Sequence, residues 1–404
     1  MNPITNPQKI NQILERRVEK IYPSKEALKK LLLSGKKLRL YQGFDPSAPN
    51  LHFGHLVGLL KLKEFQQLGH EVIFLIGDFT GMIGDPSGKE KTRKVLTRNQ
   101  IIINTETYKK QAGKILQFKG QNSIKIKFNY DWNSKLSSID ILRLTRLITV
   151  RQLLERDMFK KRLAKGQEIS VEEYLYPLFQ AYDSLAMDID LEIGGSDQMF
   201  NMLVGRDLMK KVKNKEKFVL TTKLITDNKG NKIGKTEGNV INIAGSPNEF
   251  FAQIMNLNDE VILPCFELIT EIPMKEIKNI KKTLKAGKNP MESKKQLAWE
   301  LTKMLNDEKS ADSAQLEFEK VHQQNKTPTN IPAFSLSKLS KNPINPIDLL
   351  VETKLCSSKS EAKRLIQQKA IKLNQSTISN QQLATSIKPN DILKVGKRKW
   401  LKIT

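Results

Sequence analysis

Residues 37–76 read as strand, helix, strand, and that reading restricts the chain to folds built on a parallel sheet. Lys37-Leu-Arg-Leu-Tyr41 alternates polar and apolar residues as a short strand does. From Gly54 to Leu68 apolar residues recur at helical spacing (Leu56, Leu59, Leu60, Leu62, Phe65), and Gly69 stands where such a helix stops. Val72–Ile76 is a continuous β-branched and aromatic run, the pattern of a strand buried on both faces. Two strands joined by a helix form a βαβ unit, and its strands are parallel. Ligands of such sheets bind beyond the carboxyl ends of the strands.

At that end lies Leu51-His52-Phe53-Gly54-His55, directly before the helix. A helix start carries unpaired N–H groups and partial positive charge, so it favours phosphate. Taken alone, the motif reads equally well as a packed or capping His52 and a surface His55. A second phosphate candidate is Gly230-Asn-Lys232-Ile-Gly-Lys235-Thr236-Glu-Gly-Asn239, two lysines three apart among glycines. Alone, this is as readily an ordinary exposed turn. Both motifs in order, about 180 residues apart, are far more restrictive. Tyr176, Gln180 and Asp183 are spaced four and three apart, so a helix puts them on one face. Pro177 must then sit in the first turn or kink the helix. That face would line a pocket for a small polar molecule, or form an exposed polar stripe.

The chain has 404 residues and a net charge of +25, from 68 Lys and Arg against 43 Asp and Glu. Such an excess suggests a polyanionic partner, most simply nucleic acid; the bland alternative is a lysine-biased composition. Cys265 and Cys356 lie far apart with no Cys/His cluster, which argues against zinc and fits a reducing compartment. The first ten residues lack a signal-peptide pattern, and no run approaches the ~20 apolar residues of a membrane span. A soluble, cytoplasmic protein without a membrane partner is expected. Helical patterns fill much of 140–185 and 247–322. Residues 323–346 carry Pro328, Pro332, Pro343 and Pro346 among polar residues, a linker composition. The expected division is therefore 1–247, 248–322, a linker over 323–343, and a small basic domain over 344–404.

The two phosphate motifs resemble the HIGH-like and KMSKS-like signatures of class I aminoacyl-tRNA synthetases. Tyr41-Gln-Gly-Phe-Asp-Pro-Ser47, Thr80-Gly-Met-Ile-Gly-Asp-Pro-Ser-Gly88, Tyr176-Pro-Leu-Phe-Gln-Ala-Tyr-Asp183 and Gly194-Gly-Ser-Asp-Gln198 narrow the resemblance to the bacterial tyrosyl-tRNA synthetase family. The tail, with Ser357–Ile366 and Ile371-Lys-Leu-Asn374, resembles the S4 RNA-binding module of that family, with Lys369-Ala370 replacing its usual glycine pair. The resemblance implies an α/β fold: a Rossmann-like parallel-sheet catalytic domain, an α-helical domain, and a small α+β S4-like domain. It implies ATP-dependent attachment of L-tyrosine to tRNA(Tyr) in two steps, adenylate formation and then transfer to the terminal ribose. A helical insertion at about 135–170 would form the interface of a homodimer.

Residue by residue, the resemblance assigns Tyr41 and Asp183 to the substrate phenol hydroxyl. It assigns Tyr176, Gln180 and Asp85 to the ammonium, and Gln198 to the neighbourhood of the carboxylate. Gly43, Asp45, Ser47 and Gly54 would lie beside ATP, with His52 and His55 on its phosphates and Gly195 and Asp197 near the ribose. Lys89 and Arg93, in Gly88-Lys-Glu-Lys-Thr-Arg93, would reach the leaving pyrophosphate, with Lys232, Lys235 and Thr236 closing from the other side. Mg²⁺ would arrive with ATP, and no zinc is expected. In the tail Lys359, Lys363, Arg364, Lys369 and Lys372 would contact RNA phosphates. One departure is Glu192, which stands before Ile-Gly-Gly where one branch of the family has Gln. The competing expectations are a tryptophanyl enzyme of the same fold, or an RNA-binding protein built on an inactive synthetase.

Overall fold

The structure is a computed structural model and describes residues 2–404 apart from 88–95, 155, 228–229, 231, 234–240, 325, 330, 341, 375, 379–385 and 397–398. By their internal contacts the residues form two compact units, Met1–Gln315 and Leu316–Thr404.

The first unit is organised by a six-stranded sheet. Its strands are β1 (Val18–Tyr22), β2 (Arg39–Phe44), β3 (Glu71–Ile76), β4 (Lys125–Phe128), β5 (Leu191–Gly195) and β6 (Phe218–Thr222), in the order β1-β6-β5-β2-β3-β4. All neighbours are parallel except β1 and β6. The first parallel strand, β2, starts two residues later than its alternation suggested and runs on to Phe44, because Gln42–Phe44 still pair with Phe74–Ile76 of β3. After β2 the chain builds outward through β3 and β4, then returns to the other side of β2 with β5 and β6. The strand order therefore reverses between β2 and β5, and a crevice opens there at the carboxyl ends.

The helix after β2, α1 (His55–Gln67), is buried almost all round, including Lys61. The Lys61 ammonium donates to the Ile13 and Arg16 carbonyls at 2.5 and 2.8 Å and pairs with Glu64. The chain leaves α1 through Gly69 at φ +90°, where a Cβ would come 2.9 Å from the Asn2 carbonyl oxygen. Helix α2 (Val171–Ala186) begins with a reciprocal cap between Ser170 and Glu173. Pro177 is its seventh residue, in the interior and not in the first turn, so the Glu173 carbonyl loses its helical donor. Helix α3 (Met199–Lys213) packs along α2 and stops at Asn214 in the left-handed conformation.

Residues 138–164 form three short helices, Ser138–Thr145, Val150–Leu154 and Asp157–Ala164. They leave Ile139, Leu142, Val150 and Leu163 exposed. Residues 247–318 are helical, and the first unit extends through most of them. Two buried arginines bind this helical part to the sheet part. Arg16 donates to the Glu267, Phe266 and Thr270 carbonyls at 3.0, 3.2 and 2.7 Å. Arg17 donates to the Leu268 carbonyl at 2.8 Å and to the Thr270 carbonyl, and it pairs with Glu64. Together they satisfy the carbonyl end of the helix Ile262–Ile269.

The second unit has a small sheet of β7 (Ala333–Phe334), β8 (Ile371–Leu373), β9 (Ser376–Thr377), β10 (Ile392–Val395) and β11 (Lys399–Ile403), ordered β7-β11-β10-β8-β9. Two helices, Pro346–Glu352 and α4 (Lys359–Gln367), cover a core of Ile344, Leu349, Leu350, Ile366, Ile371, Leu393 and Ile403. The stretch expected to be a linker, 323–343, contributes to this unit. Ala333–Phe334 pairs in parallel with Lys402–Ile403, and Phe334, Leu336 and Leu339 pack on the core. Its few apolar residues outweigh the surrounding prolines because they find a ready hydrophobic face.

Candidate active site

The His52–His55 motif lies at the carboxyl end of β2 and opens α1. It is held from the far end of the lysine-rich loop. Phe53 N–H donates to the Ile241 carbonyl at 2.8 Å, Ile243 N–H donates to the Leu51 carbonyl at 3.1 Å, and His52 faces Asn242 in an antiparallel bridge. Within the motif, His52 N–H donates to His55 Nδ1 at 3.0 Å and Gly54 N–H donates to His52 Nδ1 at 3.2 Å. With both Nδ1 atoms accepting, each neutral imidazole carries its proton on Nε2. The ring centroids are 3.8 Å apart. A Cβ on residue 54 would sit 3.2 Å from two atoms of the His52 ring, so glycine leaves room for this close, tilted ring pair.

The near end of the lysine loop is fixed as well. Ile233 N–H donates to the Ile225 carbonyl at 2.8 Å, and Lys232 bridges Thr226. The Lys232 ammonium donates to Asp197 Oδ2 at 2.6 Å. His52, Gly54, His55 and Lys232 line a single cavity. Gly43, Asp45 and Ser47 from the end of β2, with Gly195 and Asp197 from the end of β5, line it too. The expected residues Lys235, Thr236, Lys89 and Arg93 lie outside the described residues.

The same cavity reaches Tyr41, Asp85, Tyr176, Gln180, Asp183 and Gln198. Tyr41 is buried in β2 and its hydroxyl lies 3.1 Å from Ser184 Oγ, not on Asp183. Asp183 accepts from Trp132 Nε1 at 2.7 Å and Asn133 Nδ2 at 3.0 Å on one oxygen, and from Asn129 Nδ2 at 3.2 Å on the other. Burial pushes its carboxyl up to about 8, against the pull of those three donors. Tyr176 donates to Asp45 at 2.7 Å, and Thr80 donates to the other Asp45 oxygen at 2.8 Å. Gln180 donates to Glu192 at 3.0 Å, and Gln198 donates to Asp85 at 2.6 Å. The pocket polar groups are thus held in defined orientations by one another.

Sequence reasoning assigned no role to Asn129, Trp132 and Asn133. The available signal was position: Asn129-Tyr-Asp-Trp-Asn133 directly follows β4, at the same carboxyl edge as the other site residues. Glu192 stands out in the sequence only as a departure, and no sequence pattern marks Lys217, which pairs with it inside the fold.

A family model described as "tRNA synthetases class I (W and Y)" matches residues 33–323, and one described as "Tyrosine--tRNA ligase SYY-like C-terminal domain" matches residues 323–401. The tyrosine--tRNA ligase of Dehalococcoides mccartyi is 42% identical over 404 residues, covering 100% of both chains. The chain belongs to the tyrosine--tRNA ligase family. Tyrosine--tRNA ligase 2 of Vibrio vulnificus is 42% identical over 392 residues, covering 97% of each chain. Among solved structures, a C-terminally truncated mitochondrial tyrosyl-tRNA synthetase of Aspergillus nidulans superposes with a TM-score of 0.64 at 22% identity, covering 78% of this chain and 94% of that one. That likeness shows the class I synthetase fold.

The C-terminal unit presents the five basic residues expected to meet RNA. Lys359, Lys363 and Arg364 on α4, Lys369 after it and Lys372 on β8 are all exposed, and Lys359 pairs with Asp348 at 2.8 Å. Lys369 takes the left-handed conformation at φ +55°, the role a glycine ordinarily fills at a helix end. Among the described residues, no group of three His, Cys, Asp or Glu side chains could hold a metal ion, and no helix is long and apolar enough to cross a membrane.

Proposed function

We propose that the chain attaches L-tyrosine to tRNA(Tyr) at the expense of ATP, forming tyrosyl-adenylate and then transferring the tyrosyl group to the terminal ribose. The observation that carries this reading is the shared cavity of His52, His55 and Lys232 with the Tyr41–Gln180–Asp183 floor. The tyrosine carboxylate attacks the α-phosphorus of ATP and pyrophosphate leaves. No nucleophilic side chain is needed; the protein aligns the reactants and answers charge that grows in the transition state.

The Nε2–H groups of His52 and His55, at the start of α1, donate to the phosphates. Lys232 adds its charge from the facing wall. Lys235, Thr236, Lys89 and Arg93 belong to the same proposed machinery. Gly43, Asp45, Ser47, Gly54, Gly195 and Asp197 line the nucleotide side. Tyr41 and Asp183 read the phenol hydroxyl; Tyr176, Gln180 and Asp85 hold the ammonium; Gln198 lies toward the carboxylate. Asp45, Asp85 and Asp197 all have protein partners, which supports Mg²⁺ entering as part of the ATP substrate. Lys359, Lys363, Arg364, Lys369 and Lys372 supply phosphate contacts to tRNA.

The same reading takes the enzyme as a homodimer joined through 135–170, which is supported by the exposed Ile139, Leu142, Val150 and Leu163. It takes the compartment as cytoplasmic, which the two free, buried cysteines suit. The deciding experiment is ATP–pyrophosphate exchange with each amino acid in turn. Exchange with tyrosine is expected; exchange driven by tryptophan instead, or by neither, overturns the assignment.

A further inference from the structure

Lys217 stands one residue before β6, and its side chain is fully buried beneath the tyrosine end of the cavity. A buried ammonium is strongly destabilising unless it is fully engaged. This one is engaged on every side. It pairs with Glu192 of β5, donates to Ser184 Oγ of α2 at 2.8 Å, and donates to the Met202 carbonyl of α3 at 3.1 Å. Glu192 is itself only 2% exposed. It lines the cavity and accepts from Gln180, while Ser184 touches the Tyr41 hydroxyl. Lys217 does not reach the cavity. It touches the two residues that orient Gln180 and Tyr41.

Helix α3 is shaped around this ammonium. A Cβ on Gly205 would lie 2.6 Å from Lys217 Nζ, so glycine there leaves the space the charge occupies. Packing alone would not call for a lysine at the centre of four elements. A counter-ion for a buried carboxylate does.

We propose that Lys217 is a positioning residue for tyrosine binding: it holds Glu192 as a buried carboxylate, and through Glu192 and Ser184 it fixes Gln180 and Tyr41 against the substrate. This rests on the assignment of the Tyr41–Gln180–Asp183 floor to tyrosine. Lys217→Met keeps the stem and deletes the charge. Glu192 is then uncompensated, and it must take up a proton or turn away, which releases Gln180. Glu192→Gln alone leaves the ammonium without its partner. The double variant Lys217→Met/Glu192→Gln removes both charges and keeps an amide oxygen for Gln180 to donate to.

The test is steady-state pyrophosphate exchange by the full-length chain. Lys217→Met is expected to raise KM for tyrosine about tenfold or more, the effect of losing one charge-assisted contact. KM for ATP and kcat should stay within about threefold of the parent. The double variant should return KM for tyrosine to within about threefold. A folded Lys217→Met enzyme with unchanged KM for tyrosine overturns the proposal. So does an equal loss against tyrosine and ATP, or a double variant no better than the single. If Lys217→Met is insoluble, Gly205→Ala carries the question: its Cβ displaces the ammonium without removing charge, and an unchanged KM for tyrosine overturns the proposal. Gln180→Ala separates the two readings. If it leaves KM for tyrosine unchanged, the floor assignment fails; if it raises KM while Lys217→Met does not, only the role of Lys217 fails.

Discussion

The backbone N–H of His52 donates to Nδ1 of His55 at 3.0 Å, so one histidine sets the tautomer of the other. The proton of His55 is left on Nε2, the atom proposed above to donate to phosphate. A phosphate-facing donor acts chiefly in the transition state, as charge moves onto the leaving group. His55→Ala is therefore expected to lower kcat for tyrosine activation about 10²-fold and to change KM for tyrosine less than about threefold. Single-turnover measurement of adenylate formation checks this; a change confined to KM would remove His55 from the phosphate site.

Asp183 is orientated by Trp132, Asn129 and Asn133 and lines the cavity. A buried acceptor aimed at a substrate hydroxyl loses that contact when the substrate lacks one. Asp183→Ala is expected to reduce the preference for tyrosine over phenylalanine by about 10–100-fold. The ratio of kcat/KM for the two amino acids in pyrophosphate exchange measures it. An unchanged ratio would mean that another group reads the hydroxyl.

His70 is buried, and its Nδ1 accepts from Leu38 N–H at 3.3 Å. Burial, aided by Lys37, lowers its pKa from 6.5 to about 4. The folded protein thus resists a proton that the unfolded chain accepts near pH 6.5. The stabilisation is complete above that pH and fades as pH falls toward 4. Between pH 7.5 and 5 this one group should cost about 2 kcal/mol. Urea unfolding at the two pH values, compared with His70→Asn, reads the difference; parallel slopes in the two proteins would show that His70 contributes nothing.

Because β7 belongs to the C-terminal sheet, a cut at residue 343 would strand Ala333–Phe334 outside its unit. A chain ending at residue 323 should leave the first unit whole. That truncation is expected to keep pyrophosphate exchange within about threefold and to lower aminoacylation of tRNA at least about tenfold, since it removes the basic surface of α4 and β8. Full charging by the truncated chain would relieve that surface of its proposed role.

Much of the site was legible because parallel-sheet chemistry gathers at the ends of strands, and those ends carry recognisable residues. Asp45 and Asp197 come within two positions of a strand end, and His52 and His55 stand where the next helix begins after β2. What stayed hidden was the support behind them. The three donors to Asp183 come from a short segment whose polarity resembles any loop. Lys217 sits in a lysine-rich stretch, Lys213-Asn-Lys-Glu-Lys217, where no pattern separates the buried lysine from its exposed neighbours. Only the crossing of β5, β6, α2 and α3 turns it into an internal counter-ion. The pairing of Ala333–Phe334 within 323–343 is hidden for a related reason: composition registers prolines, but not the sheet edge that takes up two residues.

The guanidinium groups of Arg16 and Arg17 end on carbonyls beyond residue 265, which has a consequence for how the enzyme can be divided. A fragment stopped at the expected border near residue 247 would keep both arginines and lose every main-chain oxygen they cap. Modularity here follows hydrogen-bond closure, and the smallest self-sufficient piece must run past Thr270.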